Sequence, residues 1–184
     1  MNVKFGHTDP AAVEQVVFEQ VLGEKPGGAL VANPTYDIKT GTAVGLSAGI
    51  LKPIKALRLV KAVGVSDTTI EVEKGSGVIV GEFIANGTKS VAVTEVDTTT
   101  STVKDIVTAT LGLVIPVGTV LYQAASASAS AATPIYTPSF LTGAPVYAGE
   151  GDQLVRVINI ANVRKETVNA STEVLALLQT IKAV

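Results

Sequence analysis

Apolar and polar residues alternate with a period of two through the middle of the chain. Leu57-Arg58-Leu59, Thr69-Ile70-Glu71-Val72-Glu73 and Val91-Ala92-Val93-Thr94-Glu95-Val96 all follow this pattern and are rich in β-branched side chains. Such alternation places one face of a strand inward and the other in water. Lys74-Gly75-Ser76-Gly77 and Asn86-Gly87 supply turns between these strands, and Asn33-Pro34-Thr35-Tyr36-Asp37 and Lys39-Thr40-Gly41 supply turns upstream of them. One further strand is predicted over Gln153 to Ile160, where the apolar residues run almost without a break.

The period changes to that of a helix near both ends. Asp9 suits an N-cap and Pro10 the first helical position, and Val13, Val16, Val17, Gln20 and Val21 follow at helical spacing before Gly23. A short N-terminal helix is therefore predicted, either packed on the body or acting as an arm on a partner. Near the other end, Asn169 or Ser171 can cap a helix whose stripe is Val174, Leu177, Leu178 and Ile181. A stripe that apolar needs cover, from its own domain or from symmetry-related copies.

An internal echo lies within the β region. Superposing Gly81 on Gly118 brings Ile70-Glu71-Val72 onto Val107-Thr108-Ala109, and the apolar run Gly77 to Ile84 onto Val114 to Leu121, at a constant offset of 37 residues. Two copies are too few for a solenoid and fit a small barrel or sandwich made of two related halves. The composition then shifts to Ala124-Ala125-Ser126-Ala127-Ser128-Ala129-Ser130-Ala131-Ala132, a linker or an extended strap with nothing large to bury. The expected organisation is an N-terminal arm or helix (1–26), a β body (27–123), a linker or strap (124–134) and a C-terminal strand–helix segment (135–184). The expected fold class is mainly β, a small β-barrel or sandwich with short terminal helices.

Composition narrows the function. Charged residues are 16% of the 184-residue chain, hydrophobic ones 47% and aromatic ones only 4%. Val, Ala, Ile and Leu dominate, each burying little area, and few charges remain for the exterior. Association with other subunits relieves that mismatch, so a homo-oligomer or particle-bound state is expected. No run approaches the ~20 apolar residues of a membrane helix, since Leu111 to Leu121 is interrupted by Gly112, Pro116 and Gly118. The first residues show neither the basic start nor the apolar core of a secretory signal. A net charge of −2 with scattered cations argues against nucleic acid; the densest basic stretch, Lys52, Lys55, Arg58 and Lys61, reads as a solvated strand edge.

The search for catalytic chemistry finds little. The chain has no Cys and a single histidine, His7, which excludes thiolate chemistry, a Cys-based zinc site and a credible Ser-His-Asp triad. Glu71 and Glu73 share a strand face, with Glu82 in the next strand, but a glycosidase needs its two carboxyl groups across an aromatic-lined cleft. Gly75-Ser76-Gly77 precedes a strand, whereas phosphate loops open a helix. Gly149-Glu150-Gly151-Asp152 could ligate Ca²⁺ but reads as a plain turn. No enzyme, cofactor or metal site is expected.

Several segments carry a family resemblance. Asn33-Pro34-Thr35-Tyr36-Asp37, the module from Asp67-Thr68-Thr69-Ile70 through Lys74-Gly75-Ser76-Gly77 to Val80-Gly81, Thr119-Val120-Leu121-Tyr122-Gln123, and the stretch from Leu154 to Thr167 resemble tailed-phage head proteins. Together they look like the head-fibre or capsid-decoration proteins of phages and prophages of gut bacteria, of the Bacteroides type. The resemblance implies a non-enzymatic virion protein, made in the bacterial cytoplasm and bound to the capsid exterior as a homotrimer, with the phage capsid protein as partner. Such fibres carry long helical shafts, for which this chain has no room, so a compact knob or base domain is implied.

The candidate subunit contacts are the strand residues Val155, Val157, Ile158 and Ile160 and the helix residues Val174, Leu177, Leu178 and Ile181. The alternative function is a carbohydrate- or surface-binding adhesin module recognising a host glycan. It would need an aromatic platform built from Tyr36, Tyr122, Tyr136 and Tyr147, the only tyrosines.

Overall fold

A computed structural model describes residues 16–184. In chain order the elements are β1 (Phe18–Glu24), β2 (Ala29–Val31), β3 (Ala43–Ser47), β4 (Ile50–Pro53), β5 (Ala56–Arg58), β6 (Thr69–Glu73), β7 (Phe83–Ala85), β8 (Ser90–Ala92), β9 (Glu95–Asp97), β10 (Lys104–Thr108), β11 (Val120–Ala124), β12 (Phe140–Thr142), β13 (Gln153–Val155), β14 (Val157–Val163), α1 (Thr172–Leu177) and β15 (Ile181–Ala183). The fold is mainly β and barrel-like, with a single short helix among the described residues.

Two β units make up the molecule. The outer unit draws on both ends of the chain, in the order β1-β14-β12-β3-β4-β2-β13, with β15 also paired to β14. Only Arg156 separates β13 from β14, so the sheet curls back towards the segment on which it began. Its interior holds Val31, Ile38, Val44, Leu51, Val146 and Val157. The β body expected over residues 27–123 is thus divided. Strands β2 and β3 pair with strands of the C-terminal segment, with β4 between them, and only residues from Ala56 onward form a separate unit.

That inserted unit contains a three-stranded sheet, β6-β10-β9, and a four-stranded sheet, β5-β11-β7-β8. The chain beyond β5 crosses to β6 through the Leu59↔Val72 bridge, and between β8 and β9 it leaves β7 for β10. The sheets therefore join at both sides around one core of Leu57, Ile70, Val72, Ile84, Val107 and Leu121. This corner splits the strand predicted over 91–96 into two. The unit starts and finishes at one place, where Gln123 N donates to Lys55 O at 2.9 Å.

The sequence echo is a structural duplication. Ile70 pairs with Val107 across β6–β10, and Ala85 pairs with Tyr122 across β7–β11. Partners 37 residues apart lie directly opposite in both ladders, as a local twofold axis requires. The hydrogen bonds repeat as well. Gly118 N→Leu59 O (2.8 Å), Leu59 N→Thr119 O (2.9 Å) and Val60 N→Glu71 O (3.0 Å) in one half match Gly81 N→Val93 O (2.9 Å), Val93 N→Glu82 O (2.8 Å) and Thr94 N→Thr108 O (2.9 Å) in the other.

A smaller unit recurs through both barrels: an inward apolar residue, a tight turn, then a strand. It begins at Ile38, Val63, Val78, Ile115 and Val146, all at most 4% exposed. Four of the five turns carry glycine at their third position (Gly41, Gly81, Gly118 and Gly149), with φ between +78° and +89°. A type II turn requires that backbone conformation. Ile38 and Val146 bridge each other in the outer unit, and Val63 and Ile115 do so in the inserted one.

Two sequence-based expectations change, and a third, open between linker and strap, is decided. Phe18–Glu24 is an edge strand antiparallel to β14, not part of a helix. Pairing along β14 outweighs the helical spacing of Val16, Val17, Gln20 and Val21; Asp9, Pro10 and Val13 lie outside the described residues. The C-terminal helix spans only six residues, with Ser171 Oγ accepting from Val174 N at 3.2 Å as its cap. Ile181 therefore lies not on the helix but in β15, parallel to β14 opposite Ala161. The Ala/Ser segment is a strap, pinned by the Ser90↔Ser128 bridge and by Tyr122 Oη donating to Ala132 O at 2.8 Å.

Candidate functional site

Six of the charged residues singled out in the sequence, Lys55, Arg58, Lys61, Glu71, Glu73 and Glu82, are held in ion pairs at and around the seam between the two units. Glu71 faces Lys104 and, at 3.7 Å, Lys61. Glu73 meets Lys39 Nζ at 2.8 Å and Arg58 Nε at 3.6 Å. Glu82 accepts from Lys55 Nζ at 2.6 Å, Gln123 Nε2 at 2.8 Å and Ile79 N at 3.0 Å. Hydrogen bonding from Lys104 draws the Glu71 carboxyl below its ordinary pKa. Each of these three carboxylates has a cation within 4 Å. Three cations of the basic stretch, Lys55, Arg58 and Lys61, are the partners in these pairs.

Two seam residues make contacts that the sequence did not predict. Asp105, 1% exposed, sits on β10 at an inward position of the alternation. Its Oδ2 accepts from Gly75 N (3.0 Å), Ser76 N (3.1 Å) and Ser76 Oγ (3.1 Å). Lys74 Nζ lies 3.1 Å from Oδ1 and also donates to the carbonyls of Thr98 and Ser101. The cluster ties the β6 turn to the loop before β10, and the signal for it was a carboxylate among inward-facing valines. Arg58 is the second: its Nη2 donates to Val168 O at 2.7 Å and its Nη1 to Gly118 O at 3.2 Å, joining the inserted unit to the C-terminal segment.

The tyrosines do not form a platform. Tyr122 is 1% exposed, and burial raises its pKa. The Tyr36 ring packs against Gly77, where a Cβ would lie 2.4 Å from it, and Lys55 Nζ stands 5.3 Å from its centroid. Its hydroxyl is buried without a hydrogen-bond partner, and desolvation pushes its pKa far above the ordinary value. Tyr136 (36%) and Tyr147 (55%) are exposed, and Tyr36 is half-buried.

Gly149 to Asp152 form a turn locked from within. Asp152 Oδ1 accepts from Asn33 N at 3.0 Å, and Gln153 clamps the main chain of Tyr147 through two hydrogen bonds. Among the described residues no group of three or more His, Cys, Asp or Glu side chains is placed to hold a metal ion. No helix among them is long and apolar enough to cross a membrane. His7 lies outside the described residues.

Of the eight candidate contact residues, Val155, Val157, Ile158, Val174, Leu178 and Ile181 are buried in the chain's own clusters. Ile160 (38% exposed) and Leu177 (54%) remain on the surface. The exposed apolar surface lies elsewhere in greater measure. Among the described residues sixteen large hydrophobic side chains are exposed, including Val114 (74%), Val103 (74%), Leu154 (73%), Val117 (61%), Ile79 (61%), Val65 (59%) and Val80 (59%). Val65, Val80 and Val117 each occupy the second position of a tight turn of the inserted unit, a recurrence the sequence displays as Gly-Val-Ser, Ile-Val-Gly and Pro-Val-Gly.

Comparison with protein-family models, curated proteins and solved structures finds no match to this chain.

Proposed function

We propose that the protein is a non-enzymatic structural component of a phage virion, a head-fibre or decoration protein that assembles on the outside of the capsid. The observation that carries this reading is the surplus of exposed aliphatic side chains on a β scaffold whose carboxylates are engaged in ion pairs and turns. Burying such side chains against a neighbouring surface is favourable, while a catalytic site would need groups left free to act. The family resemblance supplies the word virion, and the compact double-barrel form suits a knob better than a shaft. Six of the eight earlier contact candidates serve the fold, so assembly falls to the turn tips of the inserted unit. The adhesin alternative has a smaller aromatic surface to draw on, because Tyr122 is buried and Tyr36 half-buried.

The test is immuno-electron microscopy of particles released from the source bacterium, using antibody raised against the purified chain. Label on the heads is the expected result. Label confined to cell debris, with clean heads, rejects the reading.

A further inference from the structure

The duplication supplies an internal control on which surfaces are made to be covered. The equivalent of Gly77 in the second half is Val114, 37 residues on. In the first half this position is covered: Gly77 lies under the Tyr36 ring of the outer unit. In the second half Val114 is 74% exposed and nothing among the described residues takes the place of Tyr36.

The residues around Val114 on its segment and the facing one are apolar, with Lys61, Asp67 and Lys89 only at the border. Val63 and Ile115 exchange two hydrogen bonds of 2.9 Å and turn their own side chains inward. By alternation their neighbours Ala62, Val114 and Pro116 face out. Val65 and Val117, exposed by 59% and 61%, lead the turns that follow on each side. The rim is thus Ala62, Val65, Val114, Pro116 and Val117. The barrel does not require this: where Ala62-Val63-Gly64-Val65 stands in one half, the other has Val96-Asp97-Thr98-Thr99. There Asp97 folds the loop onto itself by accepting from Thr99 N and Thr100 N.

We infer that this rim is a contact between copies of the chain, packing on the same rim of a second copy about a twofold axis. The inference rests on the reading of the protein as one that assembles. Five such side chains expose on the order of a few hundred Å², the size at which exposed apolar surface on a monomer is often functional. A stable free dimer buries about 800 Å² on each side. A rim this small therefore suits a weak contact, made effective where many copies are held side by side. An uncharged surface is matched best by another without charge, and a twofold contact needs only the one patch.

Sedimentation equilibrium of the full chain over a wide concentration range tests this. The wild type is expected to rise from 18.8 kDa towards twice that mass at the highest concentrations. The double variant Val114→Lys/Val117→Lys sets like charges against each other and should weaken association by at least about tenfold. Mixing it with Val114→Glu/Val117→Glu should restore a mixed dimer, which a general loss of folding would not allow. Leu154→Lys, equally exposed but on the outer unit, should associate as the wild type does. A wild type that stays monomeric throughout overturns the inference. So does a lysine variant that associates normally, a stable trimer indifferent to both variants, or a Leu154→Lys variant that loses association to the same degree. Labelling of phage heads is an independent readout, so the assembly reading and this contact can fail separately.

Discussion

The two halves of the inserted unit share a scaffold and differ in what they show to the outside. Ile84 and Leu121 are equivalent and both fully buried; Gly81 and Gly118 take the same left-handed turn; the three cross-strand hydrogen bonds repeat. Yet Gly77 is roofed by Tyr36 while Val114 stands in solvent, and the exposed Thr68 of one half corresponds to the buried Asp105 of the other. The inward residue and the glycine turn define the barrel, and the positions between them are free to change with the surroundings of each half.

Substitutions can break or sharpen this equivalence. The largest effect is expected in the core. Ile84→Ala and Leu121→Ala should each cost about 2–5 kcal/mol in chemical denaturation, with similar values for the two. A cost below about 1 kcal/mol for one of them would show that only the other half has a packed core. Next comes the asymmetric pair. Asp105→Ala leaves Lys74 and three donors without their acceptor and should cost about 3 kcal/mol, while Thr68→Ala should stay within about 0.5 kcal/mol. Equal costs would remove the distinction between the halves.

Gly81→Ala and Gly118→Ala come third. A Cβ at either site meets nothing within 4 Å, so only the left-handed backbone is penalised, by about 1–2 kcal/mol. Thermal melts should show the two variants shifted alike. The roof over Gly77 is probed by pH. Because the folded pKa of Tyr36 is raised, its contribution is intact below the unfolded tyrosine value and lost as pH rises above about 10, where the unfolded chain ionises first. Tyr36→Phe should flatten this alkaline loss of melting temperature and change little at neutral pH. An unchanged alkaline slope would place the effect on another group. Smallest of all, Val80→Lys and Val117→Lys should each alter stability by no more than about 0.5 kcal/mol.

Much of the inserted unit was legible because its order is local. The strand Thr69–Glu73 alternates visibly, the strands of each half lie within a few tens of residues of one another, and the offset of Gly81 and Gly118 revealed the duplication. The outer unit was not legible. β1 pairs with β14, so Phe18 meets Val163 across most of the chain, and no periodicity reports such a partner. Val16, Val17, Gln20 and Val21 carry helical spacing that an edge strand also tolerates. The contact candidates were misplaced for a related reason: Val174, Leu178 and Ile181 form an apolar stripe, but a stripe does not say which surface it meets. The turn tips were visible in the sequence as an apolar residue followed three places later by glycine. That signal becomes interpretable only once the residue before the glycine is seen to face outward.

The junction where Gln123 N meets Lys55 O has a consequence in time. On the ribosome, every strand of the inserted unit has been synthesised once Ala124 is made, and its contacts are short-range enough to form early. β1 to β4 are made first, yet β1 must wait for β14 and β3 for β12, with their hydrogen-bonding edges open meanwhile. The nascent chain thus carries a finished barrel between two halves of an unfinished one. Its most hazardous interval is the synthesis of the last third, when crowding by identical nascent chains would favour exchange of β1 between neighbours.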